Sequence, residues 1–151
     1  LAAKTPSYEG VFLSLGNNIV FEYQGWATIL PHYQESEAHE AQFHEIEEML
    51  IAGLAAIAAD NFASGIRYFN GNLRCWFLGY SNHRSQEWHD IMTFFQLLTE
   101  KAPGSYGILS CRDDEDEYKN NAFRIFVLKK GCLTEADDYY LSPCIPEIEG
   151  K

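Results

Sequence analysis

The sequence predicts an α+β two-layer sandwich, in which two helices pack on one face of a mostly antiparallel sheet in the order β-α-β-β-α-β-β. Two segments carry apolar residues three and four positions apart, which is helical spacing. Five short runs rich in β-branched and aromatic residues predict strands, and turn residues separate neighbouring runs. Helices that alternate with antiparallel strands are typical of this architecture.

The first strand is predicted at residues 19–30, and Gly25 predicts a bulge or bend within it. Ser36 is a plausible N-cap for the first helix. The helix is expected to end near Asp60, because residues 64–65 (Ser-Gly) interrupt the pattern. Its apolar stripe consists of Phe43, Ile46, Leu50, Leu54 and Ile57.

A hairpin is predicted from strands at residues 66–69 and 73–80, since the Asn-Gly-Asn sequence at 70–72 tolerates positive φ. Ser85 can cap the second helix, and the Ala-Pro-Gly sequence at 102–104 ends it. The apolar residues of this helix are Trp88, Ile91, Met92, Phe95 and Leu98.

A second hairpin is predicted from strands at residues 106–112 and 122–129, connected by residues 113–121. After Gly131 the chain reads as a short acidic stretch without a strand. The two prolines at residues 141–146 predict an extended irregular segment.

The chain carries 22 Asp and Glu against 11 Lys and Arg, a formal net charge of −11. A protein that grips a phosphate backbone needs clustered cations, but the longest basic run here is Lys129-Lys130. An anionic membrane repels the same charge, and no apolar run approaches the ~20 residues of a membrane span. We therefore expect no nucleic-acid partner, no membrane partner and a cytoplasmic location. Long-range attraction favours a basic partner instead.

The four cysteines are expected to be reduced thiols. They form no C-x-x-C pair of the kind that holds a metal. Cys75 and Cys111 lie in apolar strand-like runs, where cysteine behaves as a small hydrophobe. A chain of this length builds its own core, so a disulfide framework is not expected.

No motif indicates a metal, a cofactor or a catalytic residue. His44-Glu45 begins like a zinc-protease helix, but Glu48 stands where the second histidine ligand belongs. The sequence has neither a nucleophile elbow nor a phosphate-binding glycine loop. We therefore expect a protein that is not an enzyme. A small cytosolic enzyme of unknown class is the alternative, and it would need a cavity lined by His83, His89 and carboxylates.

The sharpest local feature is the run of five consecutive acids at residues 113–117. Adjacent carboxylates repel one another, so we expect the run to protrude into water between two strands. One interpretation is a solubilising loop that blocks edge pairing. The other is a docking surface for a cationic partner.

Several short motifs together resemble the immunity protein 7 family of bacterial polymorphic toxin systems. The resemblance covers residues from about 20 to the end. The motifs are Gly25-Trp26-Ala-Thr-Ile29, Tyr106-Gly107-x-Leu109-x-x-Arg112-Asp113-Asp114-Glu115-Asp116, Phe123-x-x-x-Val127-Leu128-x-x-Gly131-x-Leu133 and Asp138-x-x-Leu141-Ser142-Pro143-Cys144-x-Pro146.

The resemblance implies a small cytosolic protein that binds and neutralises a cognate toxin domain in competition between bacteria, with no enzymatic activity. Many such toxins are nucleases, whose phosphate-gripping surface is basic. We therefore expect tight 1:1 binding in which carboxylates steer the toxin or form salt bridges with it. The candidate toxin-binding residues are Asp113, Asp114, Glu115, Asp116, Glu117, Glu135, Asp137 and Asp138. Trp26 and Tyr106 are expected in the core instead.

Residues 1–19 have no counterpart in the resemblance. We expect them to be an N-terminal extension or a vector-derived segment, with an extra edge strand at residues 10–15 as a further alternative, and residues 20–151 to form a single domain. An acidic adaptor module, whose charge only keeps it soluble, is a further alternative.

Overall fold

A computed structural model describes residues 20–32, 37–57 and 61–144, with side chains from residue 43 onward in the first helix. Six strands and two helices follow one another within these ranges. They are β1 (Phe21–Ile29), α1 (Glu37–Ala55), β2 (Phe62–Phe69), β3 (Asn72–Ser81), α2 (Gln86–Lys101), β4 (Tyr106–Asp113), β5 (Arg124–Lys129) and β6 (Cys132–Asp137). The predicted α+β class is confirmed, with one strand more than expected. Residues 1–19, predicted as an extension or a vector-derived segment, lie outside the described ranges, as do residues 145–146 of the predicted irregular segment. Residues 141–144 of that segment are described and lie in no helix or strand.

The six strands form one antiparallel sheet in the order β2-β3-β1-β4-β5-β6. Both helices cover the same face, because the core joins residues of α1 and α2 to alternate residues of the strands. Phe77 of β3 packs edge-on against Phe94 of α2 at 5.8 Å, and Phe21 of β1 packs against Trp88 at 5.4 Å. Each fully buried side chain of this size contributes roughly 1.5–3 kcal/mol.

β1 runs through Gly25 without a bulge, so that part of the prediction is wrong. Gly25 pairs in regular register with Phe77 on one side and Leu109 on the other. A Cβ atom on Gly25 would lie 2.6 Å from the carbonyl oxygen of Ile108. The glycine is therefore required by the close approach of β4, not by a bend.

α1 ends at Ala55, earlier than predicted, and β2 begins at Phe62 rather than at residue 66. Residues 64–65, expected to interrupt the pattern, are regular members of β2. A Cβ atom on Gly65 would overlap the indole ring of Trp76, so the small residue lets that ring lie across the strand. The predicted N-cap Ser36 and the predicted helix end at Asp60 lie outside the described residues.

The predicted hairpin turn is confirmed by two consecutive positive φ angles, 47° at Asn70 and 81° at Gly71. Ser85 occupies the predicted N-cap position of α2 with extended backbone angles, although its hydroxyl makes no capping hydrogen bond. α2 ends at Lys101, as predicted. Its buried residues are Trp88, Ile91, Phe94, Phe95 and Leu98, which confirms the predicted stripe except that Phe94 joins it and Met92 is only partly buried.

β6 is a strand that the sequence interpretation missed. Lys130 and Gly131 both have positive φ, 53° and 66°, and this turn returns the chain along β5 so that Leu133 pairs with Leu128. β6 is an edge strand, and all but one of its side chains are exposed. It therefore lacks the apolar alternation by which a half-buried strand is recognised.

Candidate interaction surfaces

The two acidic stretches of the sequence meet at one end of the sheet. β4 ends at Asp113 and is followed by the acidic loop, while the pairing of β6 with β5 places Asp137 opposite Arg124 and Glu135 opposite Phe126. We name residues 113–117 and 135–138 the acidic end. The structure thus brings together the two stretches that the sequence analysis treated as one candidate surface.

Asp113 is only 6% exposed, so the expectation of a fully protruding acidic run is wrong at its first residue. Asp113 pairs with Phe21 in register, on the face that the helices cover. Its Oδ2 accepts hydrogen bonds from Nε and Nη2 of Arg84 at 3.1 and 2.7 Å, and its Oδ1 accepts one from the amide of Glu115 at 3.1 Å. These charge-assisted bonds offset the cost of desolvating the carboxylate.

Asp116 organises the middle of the loop. Its Oδ1 accepts hydrogen bonds from the amides of Tyr118 and Lys119, both at 3.0 Å, and its Oδ2 accepts one from Nη1 of Arg124 at 3.0 Å. The amides first, and then the guanidinium, hold the pKa of Asp116 below its ordinary value. Nε of Arg124 also donates to Glu135 at 2.8 Å, and this bond lowers the pKa of Glu135.

Lys119 links the loop to β6. Its Nζ lies 2.6 Å from Oδ1 of Asp137 and 3.8 Å from Oε1 of Glu135, and the bond to Asp137 raises the pKa of the lysine. All three side chains are exposed. Exposed ion pairs contribute little to stability. The main effect of this link is therefore to fix the positions of the Asp137 and Glu135 carboxylates.

Asp138 is the second exception to the expected exposure, since it is 8% exposed. Its Oδ2 accepts hydrogen bonds from the amide of Leu141 at 2.6 Å and from the hydroxyl of Ser142 at 3.4 Å. Its Oδ1 accepts one from the amide of Tyr140 at 3.4 Å. The carboxylate is buried because it satisfies the backbone donors of the turn that follows β6.

The carboxylates that do face solvent are a subset of the candidates. Glu115, Glu117, Glu135 and Asp137 are exposed, and Asp114 is half-buried. Glu115 lies 2.9 Å from Nδ1 of His83, which is itself exposed. The acidic end therefore consists of exposed carboxylates held in place by buried ones.

A second surface was not expected from the sequence. Trp26 and Tyr106, predicted to lie in the core, are 40% and 47% exposed, and that prediction is wrong. They lie on the side of the sheet opposite the helices, which we name the outer face. Strand pairing places Trp76, Leu78 and Ile108 on the same side, and these side chains are exposed as well. The patch is larger than the isolated apolar residues that occur on most surfaces.

Arginine side chains cover the rings of the outer face. The guanidinium carbon of Arg74 lies 5.3 Å from the ring centroid of Trp26, which packs edge-on against Tyr106 at 6.1 Å. Arg67 lies 4.4 Å from the ring centroid of Phe69 and 5.7 Å from that of Trp76. These are cation–π distances, and they hold the rings and the cations in one layer.

Two depressions border Trp26 on the outer face. One, of about 460 Å³, is lined mainly by Tyr106, Ile108, Val127 and Lys129, and the other, of about 280 Å³, by Phe69, Arg74, Cys75 and Trp76. A third, of about 560 Å³, lies beside Tyr23, Phe62 and Tyr80. None of the three has a histidine in its lining. The cavity that the enzyme alternative requires, with His83 and His89, is therefore not among them.

Within the described ranges, no group of three or more His, Cys, Asp and Glu side chains is placed to hold a metal ion. Burial raises the pKa of Cys75 and of Cys111 to about 12, which keeps both thiols protonated and poorly nucleophilic. No helix in this part of the chain is long and apolar enough to cross a membrane.

The described residues thus define a small α+β protein whose distinctive features are two open surfaces, one acidic and one aromatic. The family model described as immunity protein 7 matches residues 20–150. The chain belongs to the immunity protein 7 family. No curated protein and no solved structure matches the chain.

Proposed function

We propose that this protein neutralises a cognate bacterial toxin domain by tight 1:1 binding in the cytoplasm, without turning over a substrate. Its membership of an immunity protein family supports a toxin partner. The proposal about that partner's charge rests on the acidic end. Its eight carboxylates are contacted by three permanent cations, Arg84, Lys119 and Arg124, so negative charge is in excess there. A toxin that grips phosphate presents a basic surface. We therefore propose a basic, nuclease-like toxin.

The carboxylates of the acidic end divide into two roles in this proposal. The more exposed group contacts the toxin, and the group whose carboxylates accept hydrogen bonds from backbone amides gives the loop the shape that presents it. The contacting residues are Asp114, Glu115, Glu117, Glu135 and Asp137, and the positioning residues are Asp113, Asp116 and Asp138.

Charge at the acidic end acts mainly on the rate of encounter. Exposed ion pairs add little affinity, whereas attraction between oppositely charged surfaces raises association rates by up to about 10³-fold at low salt. Removing exposed carboxylates should therefore slow association and flatten its salt dependence, with a smaller effect on dissociation.

The family match begins at residue 20. This supports the proposal that residues 20–151 form the binding domain and that residues 1–19 add nothing to toxin binding. A chain shortened to residues 20–151 should then protect as well as the full chain.

The first experiment is co-purification of the full chain with the toxin domain encoded beside it, followed by a toxin activity assay with and without this protein. Complete inhibition at one equivalent supports the proposal. A toxin that is fully active in the presence of excess protein contradicts it, as does turnover of a substrate by the isolated chain.

The second experiment compares two triple variants of equal charge. Glu115→Gln, Glu117→Gln and Asp137→Asn change the acidic end, while Glu45→Gln, Glu48→Gln and Glu100→Gln change exposed positions on the helices. Stopped-flow association at several salt concentrations should be slowed at least about 10-fold only by the first set. Equal effects of the two sets would show that overall charge, and not the acidic end, steers the toxin.

A further inference from the structure

The outer face carries a charge opposite to that of the whole chain. Among the described strand residues that point to this side, four are cations, Arg67, Arg74, Arg112 and Lys129, and one is a carboxylate, Glu22. Glu22 is paired with Arg112 at 3.1 Å. A face with a formal charge of +3 thus belongs to a chain with a net charge of −11. This separation is not expected of a surface that serves only solubility.

Two of the cations of the outer face are available for a partner. Within the described residues, Arg67 and Arg74 form no ion pair with a carboxylate and lie over aromatic rings instead. A guanidinium stacked on a ring keeps its in-plane N–H groups for bidentate binding of a carboxylate. The ring below the guanidinium also restricts its motion before binding, so less side-chain entropy is lost when the guanidinium pairs with a carboxylate of the partner.

The shape of the outer face fits apolar side chains as well. Trp26 stands between the two depressions of about 460 and 280 Å³, and each has aromatic or aliphatic walls. The larger depression also contains two cations, Lys129 and Lys130, and the smaller contains one, Arg74. Apolar pockets with a few cationic groups bind an apolar group that has a negative charge beside it.

We propose that the outer face is the surface from which most of the toxin-binding affinity comes, and that its partner is an apolar patch of the toxin bordered by carboxylates. Apolar side chains of the toxin enter the depressions beside Trp26, and its carboxylates pair with Arg67, Arg74 and Lys129. This inference rests on the proposed function, because the occupant is the same toxin domain. Trp, Tyr and Arg are the residues that most often dominate binding energy at protein interfaces.

Charge favours the toxin as the partner of the outer face over a second copy of the chain and over a nucleic acid. A second copy joined through the same face by two-fold symmetry would place one cationic face against another, which like-charge repulsion opposes. A nucleic acid could stack on the rings, but the net charge of −11 repels it at long range.

Arg112 is adjacent in sequence to Asp113, so the outer face adjoins the acidic end. One toxin domain can therefore contact the acidic end through basic residues and the outer face through its acidic, apolar patch.

The test measures the dissociation constant between the full chain and a catalytically inactive toxin domain by calorimetry. Trp26→Ala should weaken binding at least about 30-fold, as expected for a central interface residue, and Arg74→Glu should weaken it by a similar factor. The matched controls are Met49→Ala, whose exposure of 41% is close to that of Trp26, and Lys101→Glu. Both lie on the helices and should bind like the wild type. Gly65→Ala, which displaces the Trp76 ring without removing it, should weaken binding less than Trp26→Ala.

Unfolding curves establish that each variant is folded, so a loss of binding cannot be a loss of structure. If the wild type binds the toxin and the outer-face variants bind equally well, this inference is overturned and the proposed function stands. If the wild type itself does not bind, the proposed function fails and this inference fails with it. Binding of a single-stranded RNA oligomer, or self-association of the wild type, that is lost in Trp26→Ala would also overturn it, because the occupant would then be a different one.

Discussion

Arg84 donates two hydrogen bonds to a single oxygen of Asp113, at 2.7 and 3.1 Å, across 29 residues of sequence. The pair joins the segment before α2 to the last residue of β4, and it also fixes where the acidic loop begins. The guanidinium carbon of Arg84 lies 5.8 Å from the ring centroid of Phe21 as well. The most conspicuous acidic feature of the sequence therefore starts from a buried and neutralised carboxylate.

Arg84→Ala should lower the free energy of unfolding by about 1–3 kcal/mol, because it leaves the Asp113 carboxylate buried without its cation. The lower part of this range is expected, since Arg84 itself is partly exposed and water can replace some of the lost bonds. Urea unfolding followed by circular dichroism measures the change. His83→Ala, which breaks only the exposed pair with Glu115, should cost less than about 1 kcal/mol. If the two variants lost the same free energy of unfolding, the buried Arg84–Asp113 pair would stabilise the fold no more than the exposed His83–Glu115 pair.

Stability should fall as the acidic end is protonated. Asp116 and Glu135 have folded-state pKa values below their ordinary values of 3.8 and 4.5. Groups with a lowered pKa stabilise the fold above their unfolded-state pKa, and that contribution is lost as the pH falls through the folded-state value. Asp116→Asn should therefore be less stable than the wild type near pH 7, and the difference should shrink below about pH 4.

Urea unfolding at several pH values tests this expectation. Glu117→Gln is the control, since it removes an exposed carboxylate of the same loop, and its effect on stability should be small at every pH. A difference between Asp116→Asn and the wild type that stays constant down to about pH 3 would show that the Asp116 carboxylate does not stabilise the fold as an anion.

The parts of the fold that could be predicted are those in which burial leaves a local pattern. α2 is amphipathic over its whole length, so its spacing alone indicated Trp88 and Leu98 as core residues. The hairpin turn at Asn70-Gly71 was predictable because its conformation needs residues that tolerate positive φ. β6 was missed because an exposed edge strand has no such pattern.

The two surfaces could not be predicted correctly because they depend on strand register. In β3, both the inward Phe77 and the outward Trp76 are large and apolar, so alternation does not decide which side is covered. Asp113 looked exposed because its neighbours in sequence are acidic. Its burial depends on Arg84, which only the folded chain brings beside it. Charge patterns report on neighbours along the chain, whereas burial of a charge is decided by neighbours in space.

Thr28 provides a test of hydrogen bonding in the sheet. It is 2% exposed, and its hydroxyl has no hydrogen-bond partner among the described residues. Leaving a buried hydroxyl unpaired costs about 1–3 kcal/mol, so Thr28→Val should leave the free energy of unfolding unchanged or raise it. Ser105→Ala should lower it by about 1 kcal/mol, because the Ser105 hydroxyl accepts a hydrogen bond from the Leu30 amide at 3.1 Å. By both thermal and urea unfolding, Thr28→Val should be at least as stable as the wild type and Ser105→Ala should be less stable. A clear loss of stability in Thr28→Val would contradict the assignment of an unpaired hydroxyl.

The cationic character of the outer face can be measured without any toxin. Two of the three tryptophans, Trp26 and Trp76, are exposed beside arginines, while Trp88 is buried. Iodide and caesium quench exposed indoles, and electrostatic screening over about 10 Å at 0.1 M salt makes each ion sense mainly nearby charge. Relative to a free tryptophan derivative, iodide should therefore quench this protein more efficiently than caesium, although the whole chain would repel iodide.

Two variants locate the effect. Trp26→Phe with Trp76→Phe leaves only Trp88, and both ions should then quench weakly. Arg67→Gln with Arg74→Gln keeps all the tryptophans and should bring the iodide constant down towards that of caesium. If caesium quenches the wild type better than iodide, the net charge of −11 prevails at the outer face. The carboxylates proposed for the toxin would then meet repulsion instead of attraction, so the quenching ratio tests the assumption about charge on which the choice of partner depends.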